Sequence, residues 1–145
     1  PNIITSLELR SEEMEVINLR IQKKYKEIEE KEVRYEEYLL EDAEYAIVAF
    51  GSAARIAKKS IEIARSQGIK VGLLRPITLW PFPTKEVQKL AGKVKGIFSL
   101  EINAGQMVED IRLAVEGKVP VQHFGRLGGI IPDPDEVVDA IKRLF

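Results

Sequence analysis

Residues 45–50 read YAIVAF, an unbroken apolar run followed at once by Gly51 and Ser52, and this stretch decides the fold. A run of this length without alternating polar residues is typical of a β-strand that is covered on both faces. Gly51 ends the run, and Ser52 is a residue type preferred at the N-cap of a helix. We therefore predict a buried strand that turns directly into a helix, the basic unit of a parallel α/β sheet.

The same unit recurs along the rest of the chain. Apolar runs predict further strands at 71–74, 96–102 and 119–124, and helical spacing of apolar residues follows each of them. Thr84 is expected to cap one of these helices, and Asp133, Pro134 and Glu136 match the N-cap, first and third positions of the last one. We predict the α/β class: a three-layer α/β/α sandwich with a mostly parallel sheet and right-handed crossovers.

The first forty residues have a different pattern. Residues 11–30 are densely charged, with a narrow helical stripe of apolar side chains that needs another surface to lie on: the chain's own core, a preceding domain or another subunit. That stripe consists of Met14, Ile17, Ile21, Tyr25 and Ile28. Residues 34–40, RYEEYLL, predict a short edge strand. We divide the chain into a charged connector helix, residues 1–32, and an α/β domain, residues 33–145.

Composition excludes several classes of function. A net charge of -1 does not indicate the excess of positive charge that is typical of proteins that bind nucleic acid or a membrane surface. The chain has no cysteine, which excludes disulfides, thiol chemistry and cysteine-ligated iron–sulfur clusters within it. No apolar run is long enough to span a bilayer and no signal-peptide core is present, so we predict a cytoplasmic location.

The turn formed by Gly51, Ser52 and Ala53 is a weak candidate for an anion site, because amides at a helix N-terminus attract anions. It lacks the further glycines of a dinucleotide loop or P-loop, and Ser52 lacks the G-x-S-x-G context and the base of a nucleophile. Helix capping is the favoured interpretation. The alternative is a flavodoxin-like module that binds an anion or nucleotide at residues 51–54.

Two charged residues are expected at the carboxyl edge of the sheet, where ligands and partners of such folds meet the loops. Glu101 interrupts an apolar strand and must be paired or solvated. Arg75 lies at the matching end of another strand, so we predict an ion pair between them; the alternative is that each faces water separately. His123, the only histidine, has no second histidine at ligand spacing and is assigned a structural role. We predict no catalytic residue and no metal ligand.

Residues 73–83, LLRPITLWPFP, hold three prolines and the only tryptophan. Proline fixes φ, so ordering such a loop costs little entropy, and large aromatic side chains anchor interfaces. We predict that residues 77–82, including Trp80 and Phe82, pack partly into the domain and partly against a neighbouring domain or subunit. The alternative is that Trp80 fills its own core.

Four segments together carry a resemblance to a known family. They are EYLLEDAEYAIVAFGSAARIAK (37–58), GIKVGLLRPITLWPFP (68–83), EINAGQMVEDIRLAV (101–115) and HFGRLGGIIPDPDEV (123–137). In this order and spacing they resemble the C-terminal domain of the alpha subunit of 2-oxoacid:ferredoxin oxidoreductases, notably the 2-oxoglutarate type. They are more distantly similar to the C-terminal domain shared by transketolase and the beta subunit of pyruvate dehydrogenase E1. The resemblance covers about residues 30–145.

The resemblance implies a transketolase C-terminal-like domain of a larger enzyme. Members of the family oxidatively decarboxylate a 2-oxoacid, here expected to be 2-oxoglutarate, to an acyl-CoA and reduce ferredoxin. They use thiamine diphosphate, Mg²⁺ and iron–sulfur clusters, none of which is expected in this fragment because the pyrimidine- and pyrophosphate-binding domains and all cysteines are missing. Pro1 is then expected to be a cut or a domain boundary.

We therefore expect a non-catalytic assembly and interface domain, inactive alone, whose partners are the other domains and subunits of the oxidoreductase, with CoA and ferredoxin used by the complex. The chain could also form a homodimer, and no nucleic acid or membrane partner is expected. The interface candidates are Arg75, Trp80, Phe82, Glu101, Asn103 and Gln106.

Overall fold

The computed structural model describes residues 7–144, so the outermost residues of both predicted segments, 1–6 and 145, lie outside the described part. Strands and helices follow one another in the predicted order after a first long helix. The elements are α1 Ser11–Lys31, β1 Tyr35–Tyr38, β2 Tyr45–Val48, α2 Gly51–Ser66, β3 Val71–Pro76, α3 Thr84–Ala91, β4 Gly96–Glu101, α4 Met107–Val115, β5 Val121–Gly125 and α5 Pro134–Leu144.

The five strands form one sheet in the order β1-β3-β2-β4-β5. Strands β3, β2, β4 and β5 run parallel, and β1 pairs antiparallel with β3 at the edge. Helices α2 and α5 cover one face of the sheet, whereas α3 and α4 cover the other. The predicted three-layer α/β/α sandwich with a mostly parallel sheet is confirmed, and so is the edge strand.

The core has two apolar layers, one on each side of the sheet. Side chains alternate along each strand, so Phe98 and Leu100 of β4 face α2 and α5, and Ile97 faces α3 and α4. All six residues of β4 are buried. Burial on both faces of the sheet explains why the apolar runs showed no alternation with polar residues. The parallel pairing of β3, β2, β4 and β5 places their carboxyl ends at one edge of the sheet.

Two predicted helix starts can be compared with the structure. Asp133 caps α5 as expected: its Oδ1 accepts from the amide of Asp135 over 2.9 Å, and its own amide donates to Glu136 over 3.2 Å. This is the reciprocal capping box that the sequence predicted. Thr84, in contrast, is the first helical residue of α3, and the N-cap is Pro83 without a side-chain hydrogen bond. The capping role predicted for Thr84 is therefore wrong.

Helix α1 stands apart from the core. It spans the range expected from its charge pattern but contains no buried residue. Four residues of the predicted apolar stripe, Met14, Ile17, Ile21 and Ile28, are half-buried, and the fifth, Tyr25, is exposed. Val16 and Leu19, on another side of the helix, are exposed as well. No helix among the described residues is long and apolar enough to cross a membrane. The division into residues 1–32 and 33–145 stays a prediction.

Candidate interaction site at the carboxyl edge of the sheet

Strand order decides which residues meet at the carboxyl edge. Strand β2 lies between β3 and β4, so Arg75 and Glu101 end two strands that are about 10 Å apart, twice the usual strand spacing. Arg75 instead donates from Nη1 to Glu36 of β1 over 2.9 Å, and these two residues are partners in the antiparallel register. The predicted ion pair between Arg75 and Glu101 is wrong.

Glu101 is fully buried at 0% exposure, and its carboxylate holds the start of α4. Four donors reach its two oxygens. The hydroxyl of Ser99 donates over 2.8 Å, and the donating amides of the helix start lie 3.1, 2.9 and 3.0 Å away. Those amides belong to Gln106, Met107 and Val108. A negative charge is stabilised there by the unpaired amides and by the positive end of the helix.

The pKa of Glu101 reflects a balance of opposite effects. Burial alone raises the pKa of a carboxyl group, but hydrogen bonds from the amides of Met107 and Gln106 and from the hydroxyl of Ser99, together with a smaller effect of the nearby Asn103 side chain, lower the pKa of Glu101 below its ordinary value. Glu101 is thus ionised and satisfied inside the domain. It is not available to a partner, so its place among the interface candidates is corrected.

His123 lies beside this carboxylate in a packed position. It pairs in register with Ser99 on the neighbouring strand, and its Nδ1 is 3.5 Å from Oε1 of Glu101 without forming a hydrogen bond. Gly125 follows two residues later, where a Cβ would lie 2.8 Å from Nε2 of His123 and 2.1 Å from the carbonyl oxygen of Asn103. This packing is consistent with the structural role that the sequence indicated.

The other two candidates on this loop differ in exposure. Asn103 is half-buried, and its Oδ1 accepts from the amide of Gly105 over 2.7 Å, which closes the loop on itself. Gln106 is exposed immediately before α4. Their roles as interface residues stay predictions.

The helix after β2 begins two residues earlier than the sequence indicated, at Gly51 instead of Ala53. Gly51 has φ of +55° and is the first residue of α2, with Phe50 at the N-cap and no side-chain hydrogen bond. The capping role predicted for Ser52 is therefore wrong. Gly51 and Ser52 are exposed, whereas Ala53 belongs to the core.

A cavity of about 150 Å³ lies beside this turn and contains basic side chains that the sequence analysis did not single out. Arg55 and Lys58 of α2 line it together with Arg75 of β3. Glu36 is close to two of these cations, 2.9 Å from Arg75 and 3.9 Å from Lys58. The helical spacing of Arg55 and Lys58 after the Gly51 turn could have indicated that these two cations lie on one side of α2. Their position next to Arg75 could not be predicted, because it depends on the pairing of β2 with β3.

The proline loop after β3 presents large apolar side chains to solvent. Ile77 is 49% exposed, Leu79 46% and Trp80 56%. Phe82 is half-buried and packs against the core layer under α3 and α4. The alternative that Trp80 fills its own core is wrong, because its side chain is exposed. Phe82 packs into the domain, as was expected of part of residues 77–82, whereas the contact with a neighbouring domain or subunit stays a prediction.

Backbone and hydroxyl hydrogen bonds fix the base of this loop. The amides of Ile77 and Thr78 both donate to the carbonyl oxygen of Arg34, over 2.9 and 3.2 Å. The hydroxyl of Thr78 donates to the carbonyl oxygen of Pro81 over 2.9 Å and accepts from the amide of Arg34 over 3.0 Å. The peptide between Trp80 and Pro81 is cis. The exposed apolar residues thus project from an anchored segment.

Helix α1 touches this loop through one aromatic contact. The ring of Tyr25 meets that of Trp80 edge to face, with centroids 5.5 Å apart. The sequence placed Tyr25 on the apolar stripe of α1 but gave no sign of which surface the stripe would meet.

The donor set does not fit the metal groups used by the resembled enzymes. The chain has no cysteine for an iron–sulfur cluster. Within residues 7–144 no three His, Cys, Asp or Glu side chains are grouped so that they could hold a metal ion. No chemical step through such a group is assigned to this chain.

Comparison with known proteins gives a consistent family. Residues 43–137 match the family described as pyruvate:ferredoxin oxidoreductase core domain II. The ketoisovalerate oxidoreductase subunit VorB of Methanothermobacter thermautotrophicus is 46% identical over 143 residues, which cover 99% of this chain and 40% of that subunit. The chain therefore spans about two fifths of the length of this curated relative.

Two solved structures share the fold at low identity. The 2-oxoglutarate:ferredoxin oxidoreductase from Magnetococcus marinus, with 2-oxoglutarate, coenzyme A and succinyl-CoA bound, superposes with a TM-score of 0.79 at 22% identity over 94% of this chain and 24% of that one. A split-gene transketolase, an inactive beta4 tetramer, gives 0.60 at 15% identity over 75% of this chain and 41% of that one. The transketolase-like fold is thereby confirmed, and the chain belongs to the pyruvate:ferredoxin oxidoreductase core domain II family.

Proposed function

We propose that this chain is a non-catalytic interface domain of the alpha-type subunit of a 2-oxoacid:ferredoxin oxidoreductase. The observation that carries the proposal is the exposure of Trp80 at 56%, beside Ile77 and Leu79, on a loop anchored at its base. Tryptophan is enriched among the residues that dominate interface energetics, and an anchored loop loses little entropy on binding. We therefore assign this loop to contact with another domain or subunit.

The whole enzyme in this proposal oxidatively decarboxylates a 2-oxoacid to an acyl-CoA and passes electrons to ferredoxin in the cytoplasm. Thiamine diphosphate, Mg²⁺ and the iron–sulfur clusters belong to the parts of the complex outside this chain. The name of the 46% identical relative favours ketoisovalerate as the substrate over the 2-oxoglutarate expected from the sequence. Residues that select the 2-oxoacid are proposed to lie in the other domains.

The test is a Trp80→Ala substitution in the full-length subunit that carries this chain. Interface residues of this kind contribute about 2 kcal/mol or more, so the dissociation constant for the partner subunits is expected to rise about 30-fold. Leu113→Ala is the control, because Leu113 is 76% exposed on α4 and lines neither cavity beside Trp80. Assembly can be followed by sedimentation, with urea unfolding as the check on folding.

Two results would contradict the proposal. One is assembly of the Trp80 variant with the affinity of the unmodified subunit. The other is turnover of a 2-oxoacid by this chain purified without any companion polypeptide.

The basic cavity beside Gly51 favours a second candidate function, binding of an anion such as phosphate or the diphosphate of a nucleotide or CoA. Three cations, Arg55, Lys58 and Arg75, line this cavity, and the carboxylate of Glu36 pairs with the last two of them. Titration of the chain with inorganic phosphate, CoA and nucleotides tests it. Saturable binding that is lost in Arg55→Gln favours this candidate, and the absence of binding at millimolar ligand rejects it.

A further inference from the structure

A groove beside the proline loop combines an aromatic floor with carboxylates. The cavity has a volume of about 580 Å³, and Tyr35, Trp80 and Phe82 line it together with Val33 and Pro81. We call it the Trp80 groove. Its floor joins the base of β1, the end of α1 and the proline loop, so three separate segments of the chain contribute to one depression.

The charged residues of the Trp80 groove are mainly acidic. Glu29 and Glu30 contribute from the last turns of α1, and Glu86 contributes from the first turn of α3, against the single cation Lys85. A second cavity, of about 420 Å³, shares Trp80 and Glu29 with the groove and lies along α1. An aromatic surface with an excess of carboxylates is complementary to a cationic side chain and repels an anionic one.

Glu86 is the most informative of these carboxylates. Its side chain is only 15% exposed, yet the ion pair that it makes within the described residues is with Lys89 at 3.7 Å, and the Lys89 side chain is 72% exposed. A largely buried carboxylate is usually held by closer donors, as Glu101 is in this same domain. Glu86 therefore has capacity for a donor that arrives from outside the chain.

We propose that the Trp80 groove receives an arginine side chain from a basic, partly apolar segment of a neighbouring polypeptide in the oxidoreductase. The guanidinium stacks on Trp80 and donates to Glu86, while Glu29 and Glu30 attract the segment. Arginine fits better than lysine because its planar fork bonds carboxylates in pairs and stacks on aromatic rings. The inference rests on the proposed interface function and names the chemistry of the partner at that surface.

The first experiment identifies the occupant directly. The photo-crosslinking residue p-benzoylphenylalanine replaces Lys85, which is exposed at the rim, in the full-length subunit assembled with its purified partners. After irradiation, mass spectrometry of the crosslinked peptide is expected to find a segment with at least one arginine within a few residues of the crosslink. A crosslink to an acidic or uncharged segment, or no crosslink in the assembled complex, overturns the inference.

The second experiment measures the contribution of the charge. Glu86→Gln keeps the shape of the side chain and is expected to raise the dissociation constant for the partner about ten-fold, since hydrogen bonds to charged groups are the strong ones. The paired substitution of Glu29 and Glu30 by glutamine is expected to slow association and flatten its salt dependence. Glu62→Gln, on the exposed side of α2, is the matched control.

The outcomes separate this inference from the proposed function. If Trp80→Ala weakens assembly while Glu86→Gln does not, another residue class occupies the groove and the inference fails alone. If neither substitution weakens assembly and both variants unfold in urea like the unmodified chain, the loop is not an interface and both fail.

Discussion

Replacing Glu101 with glutamine removes the charge that holds the start of α4. The carboxylate accepts from Ser99 and from three backbone amides, and the side chain is fully buried. A glutamine amide offers one accepting oxygen, so at least one backbone amide, and in the other orientation two, loses its acceptor. A buried donor without a partner costs about 1–3 kcal/mol, so we expect a loss of about 3 kcal/mol in the free energy of unfolding.

Urea and thermal unfolding of the two proteins measure this difference. For a domain near 150 residues, about 3 kcal/mol corresponds to a fall of roughly 12 °C in Tm. Glu37→Gln is the matched control, because Glu37 is exposed on β1 and forms no ion pair within the described part of the chain. It is expected to change stability by less than about 0.5 kcal/mol. A Glu101 variant as stable as the control variant would refute the assigned role.

The remaining predictions concern pH and the β1 edge. The pKa of Glu101 is lower in the folded chain than the unfolded value of about 4.3. The ionised carboxylate therefore contributes fully to the free energy of unfolding above about pH 4.3, and this contribution is lost as pH falls through the folded pKa. The difference in stability between the unmodified chain and the Glu101→Gln variant should accordingly narrow below about pH 4. Gly72→Ala should cost about 1–3 kcal/mol, because its Cβ would lie 2.4 Å from the carbonyl oxygen of Leu39; unchanged urea unfolding would contradict the close approach. Arg65→Lys should cost about 1–2 kcal/mol, because Arg65 donates to the carbonyl oxygen of Leu39 over 2.7 Å and twice to Asp42, and lysine cannot reproduce that fork; Asp42→Asn, which keeps the Leu39 bond, should cost less in the same assay.

Periodicity predicted the layers of the fold because the buried strands carry unbroken apolar runs, and each of the four parallel strands appears in the expected place. It could not give the strand order, because pairing depends on how crossovers pack over the sheet. Because the strand order was not known from the sequence, the prediction paired Arg75 with Glu101 although β2 lies between their strands. Glu36, the actual partner of Arg75, becomes visible only once β1 is known to pair with β3.

The fate of Glu101 shows a second limit of sequence analysis. The sequence indicated a charge that needed compensation, and a charged side chain was the obvious source. The structure uses backbone amides instead, five to seven residues further along the chain. The sequence did contain a signal for this arrangement. Glu101 ends a buried strand, and the short loop after it leads into a helix that has no capping side chain of its own.

Exposure of the proline loop could not be read from composition. Trp80 and Phe82 are two residues apart and chemically alike, yet one faces solvent and the other packs against the core. What separates them is the path of the loop, which is set by hydrogen bonds from Ile77 and Thr78 to the distant Arg34.

The central claim is that Trp80 faces solvent in this domain and becomes covered by another polypeptide of the oxidoreductase. The most direct measurement is ¹⁹F NMR of the subunit labelled with 5-fluorotryptophan, with Trp80→Phe to assign the resonance, before and after addition of unlabelled partner subunits. We predict that the Trp80 resonance shifts on assembly and loses its response to a soluble paramagnetic quencher. A resonance with the same shift and the same quenching in the free subunit and in the complex would contradict the account.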